Sequence, residues 1–274
     1  MSTLDSLSST CEIRPEEHEF FDQEGWCLLR GLLSDDDVSE MRSITHRALA
    51  QYDVRDSLAD FPFLENVLSC LIINAWQNYE EMARISLAPK FASVAAALLG
   101  VERVRLYSDE ITFKGPGMQE SFWHQDSCGA PLPGESIVTC WIPLMKVTPE
   151  MGSIRFVNRS KRFGNVELVD FKGPNQHRFF ESFIRDQELI VSNNLSYELG
   201  DVSFHHGFTV RSAGANQTDV MREAIALTFV ADGAEILQPR NETQMMEMFQ
   251  ILRGLVPGNA VAGPGHPLVY PPSQ

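Results

Sequence analysis

The chain is expected to fold as a mainly β protein with accompanying α-helix: a double-stranded β-helix core of the jelly-roll, cupin-like type with an N-terminal helical layer. Three observations lead there. Apolar residues between positions 15 and 100 recur at helical spacing, and after Gly100 the spacing changes to period two. The later apolar runs are short, and they are separated by Gly-Pro-Gly (115–117), Pro-Leu-Pro-Gly (131–134) and Pro-Glu-Met-Gly (149–152). Many short strands with such turns make two packed sheets, and helices preceding them cover one face.

Residues 1–14 are rich in Ser and Thr and read as disordered. A short helix over Glu16–Glu24 ends at Gly25, and Trp26–Arg30 reads as a strand. Ser34 is a helix N-cap followed by Asp35, Asp36 and Asp37, whose carboxylates suit the positive end of a helix. Val38, Met41, Ile44, Thr45, Ala48 and Leu49 continue at helical spacing, with His46 beside them as a packed or solvated side chain. Leu64–Leu87 reads as a second helical region. Pro89 opens another helix that closes on Gly100. Strands are expected over residues 101–107, 110–114, 136–143, 154–157, 189–191, 201–205 and 225–230. A last helix near Glu242–Leu252 and a Pro/Gly-rich strap from Val256 complete a single domain over 1–274, with its helical layer at 15–100, its core at 101–232 and its cover at 233–274.

Composition narrows the partners. With 43% hydrophobic and 22% charged residues the chain has the make-up of a soluble globular protein. A formal net charge of −15 repels nucleic acid and anionic membranes. A small anion is still admissible, since it needs only a local basic pocket. The five cysteines have no Cys-x-x-Cys spacing and suit free thiols in a reducing compartment. Met1–Glu17 is polar and acidic, and no run of 18 apolar residues occurs, so a cytoplasmic protein is expected.

The chemistry centres on Trp123-His124-Gln125-Asp126. In an extended segment His124 and Asp126 project to one side, where an imidazole and a carboxylate can take adjacent corners of a metal's coordination sphere. A second histidine would complete the facial triad of a non-haem Fe(II) oxygenase.

Around this pair the sequence resembles the phytanoyl-CoA dioxygenase family of Fe(II)/2-oxoglutarate oxygenases. The resemblance runs through Asp22–Trp26, Arg30–Leu33, Phe113–Gly117, Trp123–Asp126, Trp141–Leu144, Thr148–Gly152 with Arg155–Val157, and Gly200–Gly207. It implies Fe(II) and 2-oxoglutarate as cofactors, His124 and Asp126 as iron ligands, and Arg222 as the clamp on the distal carboxylate of 2-oxoglutarate. Lys114 and Thr139 fall where the cosubstrate is often contacted. A guanidinium suits the clamp because it meets a carboxylate through two parallel hydrogen bonds.

The third ligand departs from the family. Counting back from Asn216 or from Arg222 places Arg211 where the distal histidine belongs. A guanidinium has no usable lone pair, so Arg211 cannot ligate iron. His205 and His206 are substitutes to consider, although on one continuous strand they lie about 20 and 16 Å from position 211. If the Arg211 head sits where the metal would, it gives Asp126 a cationic partner and opposes Fe(II). A second departure is Asn158-Arg159-Ser160-Lys161 in place of the family's Pro-Gly-Ser-His turn, with Met151 where a small polar residue is usual.

Two functions are therefore expected to compete. One is a non-catalytic or auxiliary subunit, paired as a dimer with a catalytic paralogue in a secondary-metabolite pathway. Gln244–Phe249 offers an adaptable apolar surface for that pairing. The other is an active oxygenase that hydroxylates a small organic substrate with a substitute third ligand.

Overall fold

A computed structural model describes residues 4–52, 66–166 and 174–272. Its centre is a seven-stranded antiparallel sheet in the order β1 (Trp26–Leu29), β6 (Val202–His206), β4 (Ile137–Pro143), β8 (Arg222–Ala231), β3 (Val104–Lys114) and β2 (Cys70–Ile73), with β9 (Leu268–Tyr270) also pairing with β3. A small sheet of β5 (Ile154–Phe156) and β7 (Arg211–Ala213) supplies the opposing layer. His124 adds a bridge to Arg211 on that sheet. This is the jelly-roll core expected from the turn-divided strands.

Alternation along the strands decides which side chains meet the helices and which face the interior. Val138, Cys140 and Ile142 of β4, with Ile225, Leu227 and Phe229 of β8, enter the main hydrophobic core. They meet Met41 and Ile44 of α2 (Asp35–Gln51), and Phe91 and Val94 of α4 (Pro89–Leu99). The intervening residues, Thr139 and Trp141 of β4 and Ala226 and Thr228 of β8, line a cavity. Burying a large aliphatic or aromatic side chain of the first set contributes roughly 1.5–3 kcal/mol. One pleated sheet thus holds the helices on one side and leaves functional groups on the other.

Capping fixes where α2 begins. The Ser34 hydroxyl accepts from the Asp37 amide at 3.1 Å, and the Asp37 carboxylate accepts from the Ser34 amide at 3.0 Å. Deeper along α2, Arg42 makes two hydrogen bonds to Glu223 at 2.8 Å each, and His46 contacts the same carboxylate at 2.8 Å. His46 is therefore a structural partner of β8.

Several local expectations are corrected. Within the stretch read as disordered, Leu4 and Leu7 enter the main core and Ser6 donates to Asp37 at 2.7 Å, while residues 1–3 lie outside the described residues. Within the region read as a helix over Leu64–Leu87, Cys70–Ile73 is β2, and α3 spans only Glu80–Ser86. A short apolar run has no period that separates strand from helix, and here the open edge of β3 captures it. Leu64 and Glu65 lie outside the described residues. The two strands expected over 101–107 and 110–114 are one, β3, with an irregularity between Leu106 and Ser108. Residues 189–191 make only an isolated bridge, Val157 to Val191. An unanticipated helix, α6 (Pro174–Asp186), packs on Trp123, Val157 and Val210. The Glu80–Leu99 stretch is apolar and long enough to cross a membrane, but it is divided between α3 and α4 and is 61% buried within the fold.

Candidate functional site

The cavity between the two sheets has a volume of about 520 Å³ and is lined by His124, Asp126, Thr139, Arg211, Lys114 and Arg222. The structure therefore brings the residues expected to hold iron and cosubstrate to one cavity, together with Arg211.

His124 lies beside β7, exchanging backbone hydrogen bonds with Arg211 at 3.0 and 2.8 Å. Its ring Nδ1 is 2.8 Å from the Phe122 carbonyl. That contact requires Nδ1–H as donor and leaves Nε2 with a free lone pair, as in a metal-ligating histidine. Burial, reinforced by Arg211, depresses the pKa of His124 to about 4, so it is neutral at physiological pH.

Asp126 is surrounded by donors. Arg211 reaches Oδ1 through Nε at 2.7 Å and Nη2 at 2.6 Å. Thr139 donates to Oδ2 at 2.7 Å, and His205 Nε2 lies 3.0 Å from the same oxygen. Burial alone would raise the Asp126 pKa, but Arg211 foremost overrides it and holds the group well below the usual carboxylate range. Three hydrogen bonds and the ion pair with Arg211 engage both oxygens of the ionised carboxylate. Among the described residues, no three His, Cys, Asp or Glu side chains form a group that could hold a metal ion. The residues present do not fit iron.

His205 corrects the distance argument made from a continuous strand. The chain leaves β6 at His206, turns through residues 207–210 and enters the other sheet at Arg211. His205 pairs in register with Thr139 and so arrives at Asp126 from the main sheet. His206 faces elsewhere: its Nδ1 accepts from the Phe208 amide at 3.1 Å, and its ring packs near Phe21 and Phe208.

The other end of the cavity is cationic. Lys114 and Arg222 are opposite each other on β3 and β8, 0% and 3% exposed. Lys114 Nζ and Arg222 Nε have no hydrogen-bond partner, while Arg222 Nη1 donates to the Gly152 carbonyl at 3.1 Å. The Arg222 guanidinium stands 5.5 Å from the Trp141 ring centroid. Burial first, then Arg222 and Arg155, depress the Lys114 pKa to about 7. Two buried cations with unused donors fit a carboxylate ligand, and 2-oxoglutarate is such a ligand. Thr139 is the exception among the expected cosubstrate contacts, because its hydroxyl is engaged with Asp126.

A third set of groups was missed in the sequence. Tyr107 donates to Glu247 of α7 (Glu242–Gln250) at 2.5 Å, and both line the cavity with Glu110. Burial pushes the Glu247 pKa up to about 8. Glu110, Thr112 and Lys114 alternate along β3 with one orientation, a pattern that could have placed Glu110 here.

The departures near the site have structural roles. Arg159 takes a left-handed φ of 62°, in the turn position where the family has glycine, and is tied to Glu24 through its amide at 3.0 Å and its side chain at 3.1 Å. Lys161 lies over the Phe21 ring, and Met151 packs with Trp26, Trp141 and Phe156.

Comparison with known proteins agrees with this architecture. The sequence profile of the family Phytanoyl-CoA dioxygenase (PhyH) matches residues 21–224. Peroxisomal phytanoyl-CoA dioxygenase of Mus musculus is 22% identical over 247 residues, covering 84% of this chain and 72% of that protein. The Rattus norvegicus enzyme is 20% identical over 248 residues, with the same shares. Among solved structures, the fold is similar to the non-heme alpha ketoglutarate dependent carbocyclase SnoK from nogalamycin biosynthesis, with a TM-score of 0.76, 23% identity, and coverage of 94% of this chain and 96% of SnoK. It is also similar to the epimerase SnoN in complex with Fe3+, alpha ketoglutarate and nogalamycin RO, with a TM-score of 0.74, 21% identity, and coverage of 93% and 97%. With the profile spanning most of the chain, this protein belongs to the phytanoyl-CoA dioxygenase family.

Proposed function

We propose that this chain is a non-catalytic member of its family, in which Arg211 occupies the third iron position and the protein serves as the auxiliary subunit of a catalytic paralogue. The observation that carries this reading is Asp126, whose oxygens are taken by Arg211, Thr139 and His205. Iron would have to displace a guanidinium from a nearly buried carboxylate and would then meet a fixed positive charge. Breaking such a pair by removing one partner typically costs about 3–5 kcal/mol. The similarity to proteins of nogalamycin biosynthesis supports a place in secondary metabolism. On the outer face of α7, Met245 is 47% exposed and Phe249 73% exposed, which suits a subunit contact.

The test supplies purified chain with Fe(II), 2-oxoglutarate, ascorbate and air, and measures succinate. The chain alone should form none above a protein-free control. Mixed with a relative from the same cell that has histidine at the position of Arg211, it should form a complex and raise that relative's turnover. Succinate formation by the chain alone contradicts the proposal.

One observation favours the alternative, an oxygenase acting on a small organic substrate: His205 brings a second imidazole to Asp126. Under that reading Arg211 leaves Asp126 when iron arrives. Succinate formation would then persist in Arg211→Ala and vanish in His205→Ala.

A further inference from the structure

The side of the cavity covered by α7 carries a carboxylate that no described group answers. Glu110 lies on β3, in register with Ile73 of β2 and Ala226 of β8, and neither neighbour offers a polar side chain. Two residues along the strand, Thr112 donates its hydroxyl to the Ala224 carbonyl at 3.3 Å. Among the described residues Glu110 has no hydrogen-bond or ion-pair partner. The charge of Arg211 reaches it, but that guanidinium is committed to Asp126. Protein surrounds Glu110 closely enough for burial to raise its pKa, yet the side chain keeps accessible surface and lines the cavity. That accessible surface therefore opens on the cavity.

The surroundings define what fits this space. Glu247 is the next carboxyl, near enough for the charge of Glu110 to help raise its pKa. Tyr107 donates to its Oε2 at 2.5 Å, which leaves Oε1 without a donor among the described residues. Tyr107, Ile137, Ile251 and Ile73 pack together as one apolar cluster and line the same cavity. A bare metal ion does not suit it, since among the described residues no three metal-ligating side chains converge. An unpaired carboxylate set in an apolar wall calls for a cation with a hydrocarbon body.

We propose that this side of the cavity binds a protonated organic amine, with Glu110 as its counter-ion, Glu247 as a second hydrogen-bond acceptor and the isoleucine wall against its carbon skeleton. An ammonium group carries only donors, and both carboxyls carry acceptors in either protonation state. Hydrogen bonds between ionised groups are shorter and stronger than neutral ones. A neutral alcohol of the same shape keeps the apolar contacts but leaves the charge of Glu110 unanswered, so affinity should separate the two. The proposal goes beyond the reading of the metal corner and holds whether or not that corner is closed to iron.

The test is calorimetric titration of the full chain with 4-phenylbutylamine and 4-phenylbutanol in EDTA. Salt at about 0.15 M, where the Debye length is about 8 Å, screens attraction to the acidic surface at large. The amine should bind at least about tenfold more tightly than the alcohol, as hydrogen bonds to a charged group imply. Glu110→Gln keeps the size of the side chain and removes its charge. It should bring the amine to the affinity of the alcohol, leave the alcohol unchanged, and keep or raise the melting temperature. A substitution that merely damaged the wall would weaken both probes alike. Silence toward the amine, equal affinity for amine and alcohol in the wild type, or an amine preference that survives in folded Glu110→Gln overturns the proposal. The wild-type ratio decides by itself if the variant fails to fold.

Discussion

The proposed loss of iron chemistry turns, at the residue scale, on the ion pair of Arg211 with Asp126. A carboxylate that is 10% exposed keeps its charge because a guanidinium lies 2.6 Å away. Replacing Arg211 with Met should destabilise the fold by about 3–5 kcal/mol at pH 7. Denaturant titration across pH checks this with a definite sign. The native Asp126 pKa is depressed, so its contribution is present above the unfolded value and is lost only in strong acid. The gap between wild type and variant should therefore be full near neutrality and close only in strong acid, below the usual carboxylate range. At this scale the sequence was informative about identity and poor on geometry. His124, Asp126, Arg211 and Arg222 were legible as positions in a motif. The role of His205 was not, because reaching Asp126 depends on a turn through residues 207–210 that carries the chain from one sheet to the other.

Elements set the reach of these side chains. Arg222 is steadied by the Gly152 carbonyl, and Gly152 has a φ of 80° with the Gly214 carbonyl oxygen 2.4 Å from where a Cβ would stand. Gly152→Ala should destabilise by at least about 1–3 kcal/mol from backbone strain alone, and it should also weaken anion binding by freeing Arg222. Chemical denaturation and ligand titration read the two effects separately. Across the cavity, α7 brings Glu247 against Tyr107. Burial raises the Glu247 pKa to about 8, so between roughly pH 4.5 and 8 the folded state holds a proton that the unfolded chain has released. Wild-type stability should fall through that window. Glu247→Gln removes the dependence, so its melting temperature should match wild type near pH 5 and exceed it by about 2–4 °C per kcal/mol at pH 8. The main strands were readable because alternation and turn residues agree in β4 and β8. Cys70–Ile73 was misread because four apolar residues fit either period, and its strand state is imposed by the edge of β3. Glu247 could not be placed from sequence, since its role requires knowing which cavity its helix crosses.

For the whole molecule, the family's sheet frame is kept around the site at which we propose that iron chemistry is lost. Helices α2 and α4 pack on one face of the seven-stranded sheet, the small sheet closes over the other, and the cavity between the sheets keeps a cationic inner end. In the proposed reading, Arg211 exchanges a lone pair at the metal corner for a fixed positive charge beside Asp126. The most direct test is calorimetric titration of Mn(II) into wild type and Arg211→His, each with and without 2-oxoglutarate. Wild type should bind no metal and the variant should bind at micromolar affinity or tighter, with His124, Asp126 and the new imidazole completing a triad. Micromolar metal binding by wild type would contradict the proposed reading and would turn attention to His205 as the third ligand.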